Sequence, residues 1–359
     1  MLIDLHNDAA MKMSDGVRSM SDPASGLHIT MEKIRAVRPS ALVFACYCDP
    51  NFRPPEALEI ALLQLRLLKN EFQKPKSAVS LATNRKEIDA VMASDRTAGI
   101  LGVEGAYALA EDDPAASMHA LDVLYREGMR VLTLTHSHTT LWAASESGGP
   151  PEGLTAFGIE IIKHLNALGV IVDVAHANTA TILAACKHSI KPVIFSHGGA
   201  RALTGTARNI EDDAIRAIAG SGGVVGLSFY PGHLVPPAPG ADHKKIEELY
   251  RSEMTRIFSD PSLDTTARFS RVAAFFERMP GQEGPSAGIP ELLRHMDHII
   301  SLVGDHHVAL GSDYDGISHA CRGLEDFSRI RALTAAMKDH GYSDERIARI
   351  SGGNALRIF

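Results

Sequence analysis

Eight short apolar runs, spaced along the whole chain, constrain its fold more than any other feature. They are Leu2–Leu5, Ala41–Cys46, Gly99–Val103, Arg130–Thr135, Val170–Ala175, Pro192–Ser196, Gly223–Ser228 and Val308–Gly311. Each is rich in Val, Ile or Leu and almost continuous in apolarity, the pattern of strands buried on both faces in a parallel sheet. Parallel neighbours need crossover connections, which helices usually provide. Helix signals fill the gaps. Pro54-Pro55-Glu56 opens a segment with apolar residues at helical spacing through Leu68. Asp113-Pro114 places a capping residue before a proline in the first turn. Phe157, Ile161, Leu165 and Leu168 line one face before Gly169, and Asn178 caps the next helix. Asp212 and Asp213 suit the first turn of a helix ending near Gly220. Eight such units predict an α/β fold, a (β/α)8 TIM barrel.

The segment 230–290 is too long for one crossover. It opens with Pro231, Gly232 and the Pro236–Pro239 run, followed by helical patterns at 243–258 and 264–279. It is read as a helical insertion between the seventh and eighth of these strands, either a lid over the site or a peripheral decoration. No composition shift divides the chain, so residues 1–359 are expected to form a single barrel unit.

Composition then narrows the function. The net charge is -7, and no basic cluster marks a nucleic-acid footprint. No apolar run approaches the roughly 18 residues of a membrane span. The opening Met1-Leu2-Ile3-Asp4-Leu5-His6 lacks signal-peptide regions, and Cys46, Cys48, Cys186 and Cys321 show no zinc-finger spacing, so a cytoplasmic protein with reduced thiols is expected. The unusual count is 17 histidines in 359 residues.

Their positions carry the argument. The predicted strands run into His6-Asn7-Asp8, Glu104-Gly105, His136-Ser137-His138, His176, His197-Gly198-Gly199 and Asp313-Tyr314-Asp315-Gly316. In a barrel all these ends lie on the C-terminal face, where catalytic residues of this fold gather. His6 with Asp8 could hold one ion, and His176 with His197 a second. Glu104 could span the two with its carboxylate oxygens. Such donors favour zinc, with manganese or iron as alternatives. A metal pair of this kind can activate a shared hydroxide near neutral pH. Asp313 could then move a proton from attacking water to leaving group. Taken singly, a strand-end histidine reads as structural and an Asp-Gly pair as a turn; the coincidence of six strand ends points to a site. His138 reads as structural or as a support behind the site, and His119, His164, His188 and His306 as residues of helices or loops.

These residues resemble the membrane (renal) dipeptidase family, peptidase M19, among the amidohydrolase-like metal-dependent hydrolases. The likeness runs nearly end to end. It rests on Ile3-Asp4-Leu5-His6-Asn7-Asp8, Gly102-Val103-Glu104-Gly105 and the specific stretch from Gly128 to Ser137. It continues through Asp173-Val174-Ala175-His176, Pro192 to His197, Ala207-Arg208-Asn209-Ile210, Gly311 to Gly316 and Gly353 to Phe359. The resemblance implies two zinc ions per subunit, ligated by His6 and Asp8, by His176 and His197, and bridged by Glu104. It implies that His136 is a catalytic, substrate-binding residue that polarises the scissile carbonyl or stabilises its oxyanion, that Arg208 grips the substrate's C-terminal carboxylate and that Asp313 is the acid/base. It further implies hydrolysis of dipeptides, including L-Xaa-D-Xaa, by a metal-bridging hydroxide, and a homodimer. One departure is His233, which stands where the renal pattern has a tyrosine near the substrate; it is a candidate substrate contact. Two rival readings keep the same sequence. One is an amidohydrolase acting on a lactam or an N-acyl amino acid, and the other is a non-catalytic barrel scaffold. The presence of all five predicted ligands argues against the scaffold.

Overall fold

The computed structural model of the chain describes residues 1–109, 112–237, 243–278 and 286–359. Its strands are β1 (Leu2–Asn7), β2 (Ser40–Tyr47), β3 (Val79–Leu81), β4 (Thr97–Glu104), β5 (Met129–Thr133), β6 (Ile171–Asp173), β7 (Val193–Phe195), β8 (Val224–Leu227) and β9 (Val308–Leu310). All their pairings are parallel, and β2 pairs with β4 along its length, from Ser40 against Thr97 to Tyr47 against Glu104. That pairing closes β1, β2 and β4 to β9 into an eight-stranded TIM barrel. The short β3 stays outside the ring and pairs only with Thr97–Gly99 at the start of β4.

The eight strands read from sequence are the eight of the barrel. β3 and the helix Arg85–Ala93 that follows it were not foreseen. Several strands are also shorter than read. β5 stops at Thr133 and β6 at Asp173, so His136 and His176 stand on loops beyond them, whereas His6 lies inside β1.

Near-continuous apolarity follows from burial on both faces. Ile3, Val43, Ile100, Val131, Ile194 and Val224 pack together in one cluster. Alternate positions such as Phe44, Leu132, Val172, Phe195 and Leu310 pack in another, against the helices. Each such side chain contributes about 1.5–3 kcal/mol on burial. Ala355 and Leu356, near the C-terminus, join the first cluster. The helix caps follow their chemistry. The Asp113 carboxylate accepts from Ala116 N at 3.0 Å, and Asn178 Oδ1 accepts from Thr181 N at 2.8 Å. Gly169 ends its helix at φ 77°, where only glycine is at ease.

The insertion lies between β8 and β9 and includes the helices His243–Phe258 and Thr265–Arg278. Of the proline run, residues 238–239 lie outside the described residues, as does residue 279 of the second predicted helix. Met254, Ile257, Phe269 and Val272 pack on Phe52, Ile60 and Tyr107 of the barrel side. Asp49, buried after β2, accepts a hydrogen bond from Tyr250 Oη at 3.0 Å. The insertion is thus anchored across the end of β2, and its Phe276 forms part of a cavity wall. No helix among the described residues is long and apolar enough to cross a membrane.

Candidate active site

A cavity of about 440 Å³ opens at the C-terminal mouth of the barrel. Asp8, Glu104, His136, His176, His197, Arg208, His233 and Asp313 all line it. His6 lies beside it, with Nε2 3.2 Å from Asp8 Oδ2 and 3.5 Å from Glu104 Oε1. Every site residue read from the sequence is therefore gathered at one place.

Glu104 Oε1 is the hub. It lies 3.2 Å from His176 Nε2 and 3.5 Å from His197 Nε2, and those two nitrogens are 3.2 Å apart. Buried polar atoms normally find partners, yet His6 Nε2, Asp8 Oδ1 and Glu104 Oε1 are buried without a hydrogen bond. Two ligands held about 2.0–2.1 Å from one tetrahedral zinc stand roughly 3.3 Å apart. The donor spacing, donor types and missing partners all fit a divalent metal. His6, Asp8 and Glu104 form one group that could hold an ion; His6, His197 and Asp313 form another, as do Glu104, His136 and His176. His136 thus lies closer to the donor cluster than its predicted role as a substrate contact alone requires.

The backbone supports this geometry at some cost. His176 and Asp313 both have φ of 64°, in the left-handed region that side chains other than glycine seldom adopt. Asp313 N donates to His6 O at 3.1 Å, tying the β9 end to β1. Gly316 passes so close that an added Cβ would stand 2.2 Å from Asp8 Oδ2 and 2.7 Å from Asp313 Oδ1. Only glycine fits there.

Behind the cluster lies a layer of buried carboxylates. Asp173 Oδ2 accepts from Thr133 Oγ1 and from Ser196 Oγ, both at 2.6 Å. Asp4 accepts from Ser312 N at 2.7 Å and from Ser312 Oγ at 2.5 Å. Burial raises Asp4 to about 6, against the pull of these hydrogen bonds. Asp315 plays a similar part, holding the backbone N–H groups of His28 and Ile29 at 2.7 and 3.2 Å. In the sequence the signal for this support is only a spacing, Asp4 two residues before His6 and Asp173 three before His176.

Electrostatics separate the histidines. Burial pulls His6 down, but the carboxylates of Glu104 and Asp8 outweigh it and raise the imidazole well above its ordinary value. Burial, reinforced by Arg208, holds His176 and His197 well below theirs. The same causes lower His136 to about 3. Neutral imidazoles are the form that binds metal. Burial pushes Asp313 well above the carboxylate range; His6 opposes this, while Asp8 and Glu104 add to it.

Arg208 donates from Nη2 to His197 O at 3.1 Å, leaving Nη1 buried without a partner. His233 is held through its carbonyl by Asn209 Nδ2 at 2.8 Å, and its Nδ1 is also buried and unpartnered. His138 is exposed and takes part through its carbonyl, which accepts from Tyr107 Oη at 2.8 Å. Sequence reading missed Glu146, Tyr47, Tyr230 and Phe276 in the cavity wall. Burial raises Glu146 to about 7, against the pull of Arg208.

A closed parallel barrel with imidazoles and carboxylates converging at its C-terminal mouth is the architecture of a metal-site barrel. The family model for membrane dipeptidase, peptidase family M19, matches residues 1–359, and the chain belongs to this family. It is 28% identical over 305 residues to dipeptidase verJ of Clonostachys rogersoniana, a match covering 84% of this chain and 65% of that protein. The chain thus spans just under two thirds of that relative's length. Among solved structures, the probable dipeptidase PvdM from Pseudomonas aeruginosa superposes with a TM-score of 0.80 at 24% identity, covering 100% of this chain and 94% of that one. A metallo peptidase from Rhodobacter sphaeroides, liganded with a phosphinate mimic of the dipeptide L-Ala-D-Ala, gives 0.77 at 22% identity, covering 99% and 97%.

Proposed function

We propose that this protein is a binuclear zinc dipeptidase. His6 and Asp8 would hold one ion, His176 and His197 the other, and Glu104 would lie between them. The observation that carries this reading is the convergence of three imidazole nitrogens within 3.2–3.5 Å of the single atom Glu104 Oε1. Bound there, the ions would supply Lewis acidity and an acidified water near neutral pH.

The remaining steps belong to the chain. Arg208 offers Nη1 to the substrate's C-terminal carboxylate, and its planar fork suits that group. His136, neutral through burial and the nearby Arg208 charge, can donate a ring N–H to the scissile carbonyl oxygen. Asp313 accepts the proton of the attacking water at a carboxylate oxygen and delivers it to the departing amine nitrogen. His233 and Phe276 would meet the substrate's side chains. Since the Rhodobacter protein holds a mimic of L-Ala-D-Ala, L-Xaa-D-Xaa dipeptides are the first substrates to assay.

Substituting Arg208→Met separates this reading from hydrolysis of a neutral amide. Loss of a charged hydrogen bond should raise KM for dipeptides about 10- to 100-fold. An amide substrate without a carboxylate should barely respond. A dipeptide KM that stays put would remove Arg208 as the carboxylate anchor.

A further inference from the structure

Glu146 is a cavity carboxylate to which the mechanism above gives no task. It lies in the loop after β5, pinned to the loop after β6. Its N donates to His176 O at 2.8 Å, and neighbouring Ser145 bridges to Ala177. Its Oε1 stands 3.4 Å from His176 Nδ1, which fixes the carboxyl group. The other oxygen, Oε2, is buried without a hydrogen-bond partner. The side chain is only 12% exposed and lines the cavity.

Arg208 is its counterpart. Among the cavity-lining groups, its Nη1 is the unpartnered buried cationic donor. Both side chains line the same cavity, yet among the described residues no ion pair joins them. Burying a charge without a partner is unfavourable. A cavity that keeps one of each sign apart is matched to a ligand that carries both.

Resting on the dipeptidase reading, we infer that Glu146 Oε2 receives a cationic group of the substrate while Arg208 receives its carboxylate. The cavity therefore selects dipeptides with an ammonium or guanidinium over N-acylated neutral ones. That cation has two sources, the free α-ammonium of the first residue or a basic side chain. A merely structural Glu146 would orient His176 and leave selectivity untouched.

The test is equilibrium binding of three phosphinate dipeptide isosteres to the zinc-loaded protein: free-amine alanyl-alanine, N-acetyl-alanyl-alanine and N-acetyl-lysyl-alanine. The parent should bind at least one of the two cationic ligands about 10- to 100-fold more tightly than the N-acetyl-alanyl one. Glu146→Gln, which keeps an acceptor for His176 and removes the charge, should erase most of that preference. Loss on the free-amine ligand assigns the α-ammonium, and loss on the lysyl ligand assigns the side chain. Equal affinity of the parent for all three overturns the inference even if the variant fails to fold. So does a Glu146→Gln protein, with zinc content intact, that keeps the parent's preference or weakens all three equally. If the parent neither binds these ligands nor cleaves the matching dipeptides, the dipeptidase reading falls and takes the inference with it. Cleavage of dipeptides without preference for cationic ones sinks the inference alone.

Discussion

Ser196 Oγ lies 2.9 Å from His197 Nδ1 and fixes which nitrogen of that ring carries the proton. The serine hydroxyl donates to Asp173 Oδ2 at 2.6 Å, and a carboxylate can only accept. The serine oxygen must then accept from His197, so Nδ1 is protonated and the Nε2 lone pair faces Glu104. Removing this link by Ser196→Ala should weaken zinc binding about 10- to 100-fold, the usual effect of losing a ligand's supporting hydrogen bond. Competition with a zinc chelator measures it. Parent-like affinity would show that His197 is held by packing alone.

Asp313 is the proposed acid and base, and its side chain lines the cavity. Its neutral analogue Asp313→Asn keeps the shape of the side chain but cannot take a proton. Zinc content should hold, and turnover of a good dipeptide substrate should fall by about 10²–10⁴. Unchanged turnover at full zinc occupancy would end its assignment as acid and base.

Far from the mouth, Asp305 gives a stability prediction with a defined pH window. Arg349 donates to it twice, at 3.0 and 2.9 Å, and Arg346 once at 3.0 Å. The Arg349 hydrogen bonds are the chief cause that holds the carboxyl below its ordinary 3.8. The folded state therefore binds this proton less readily than the unfolded chain. The stabilisation is present above the ordinary value and lost as pH falls through the lower, folded one. Partly exposed arginines limit it to about 1–2 kcal/mol. Asp305→Asn should lower the urea midpoint at pH 7, and the gap to the parent should close below roughly pH 4. A gap that stays constant with pH would mean that the charge plays no part.

The barrel was legible because its strands are buried on both faces, so apolar runs stand out against amphipathic helices. The residues of the candidate site were legible because His6, Glu104, His176, His197 and Asp313 interrupt or follow those runs. β3 was not, because three residues, Val79-Ser80-Leu81, are too few for a run or an alternation to stand out. Glu146 was hidden for a different reason. It lies in a loop ten residues beyond His136, and contacts with the loop after β6, including its hydrogen bond to His176 O, bring it into the cavity. Strand ends were read too long at β5 and β6, where the chain leaves the sheet while still buried and apolar, as at Leu134 and Val174.

The most direct measurement is the rate of L-Ala-D-Ala hydrolysis by the zinc-loaded protein, by the same protein after chelation, and after zinc is restored. Hydrolysis that disappears with the metal and returns with it is the predicted result. No hydrolysis in any state, or a rate indifferent to chelation, would contradict a zinc dipeptidase built on Glu104 and its three histidines.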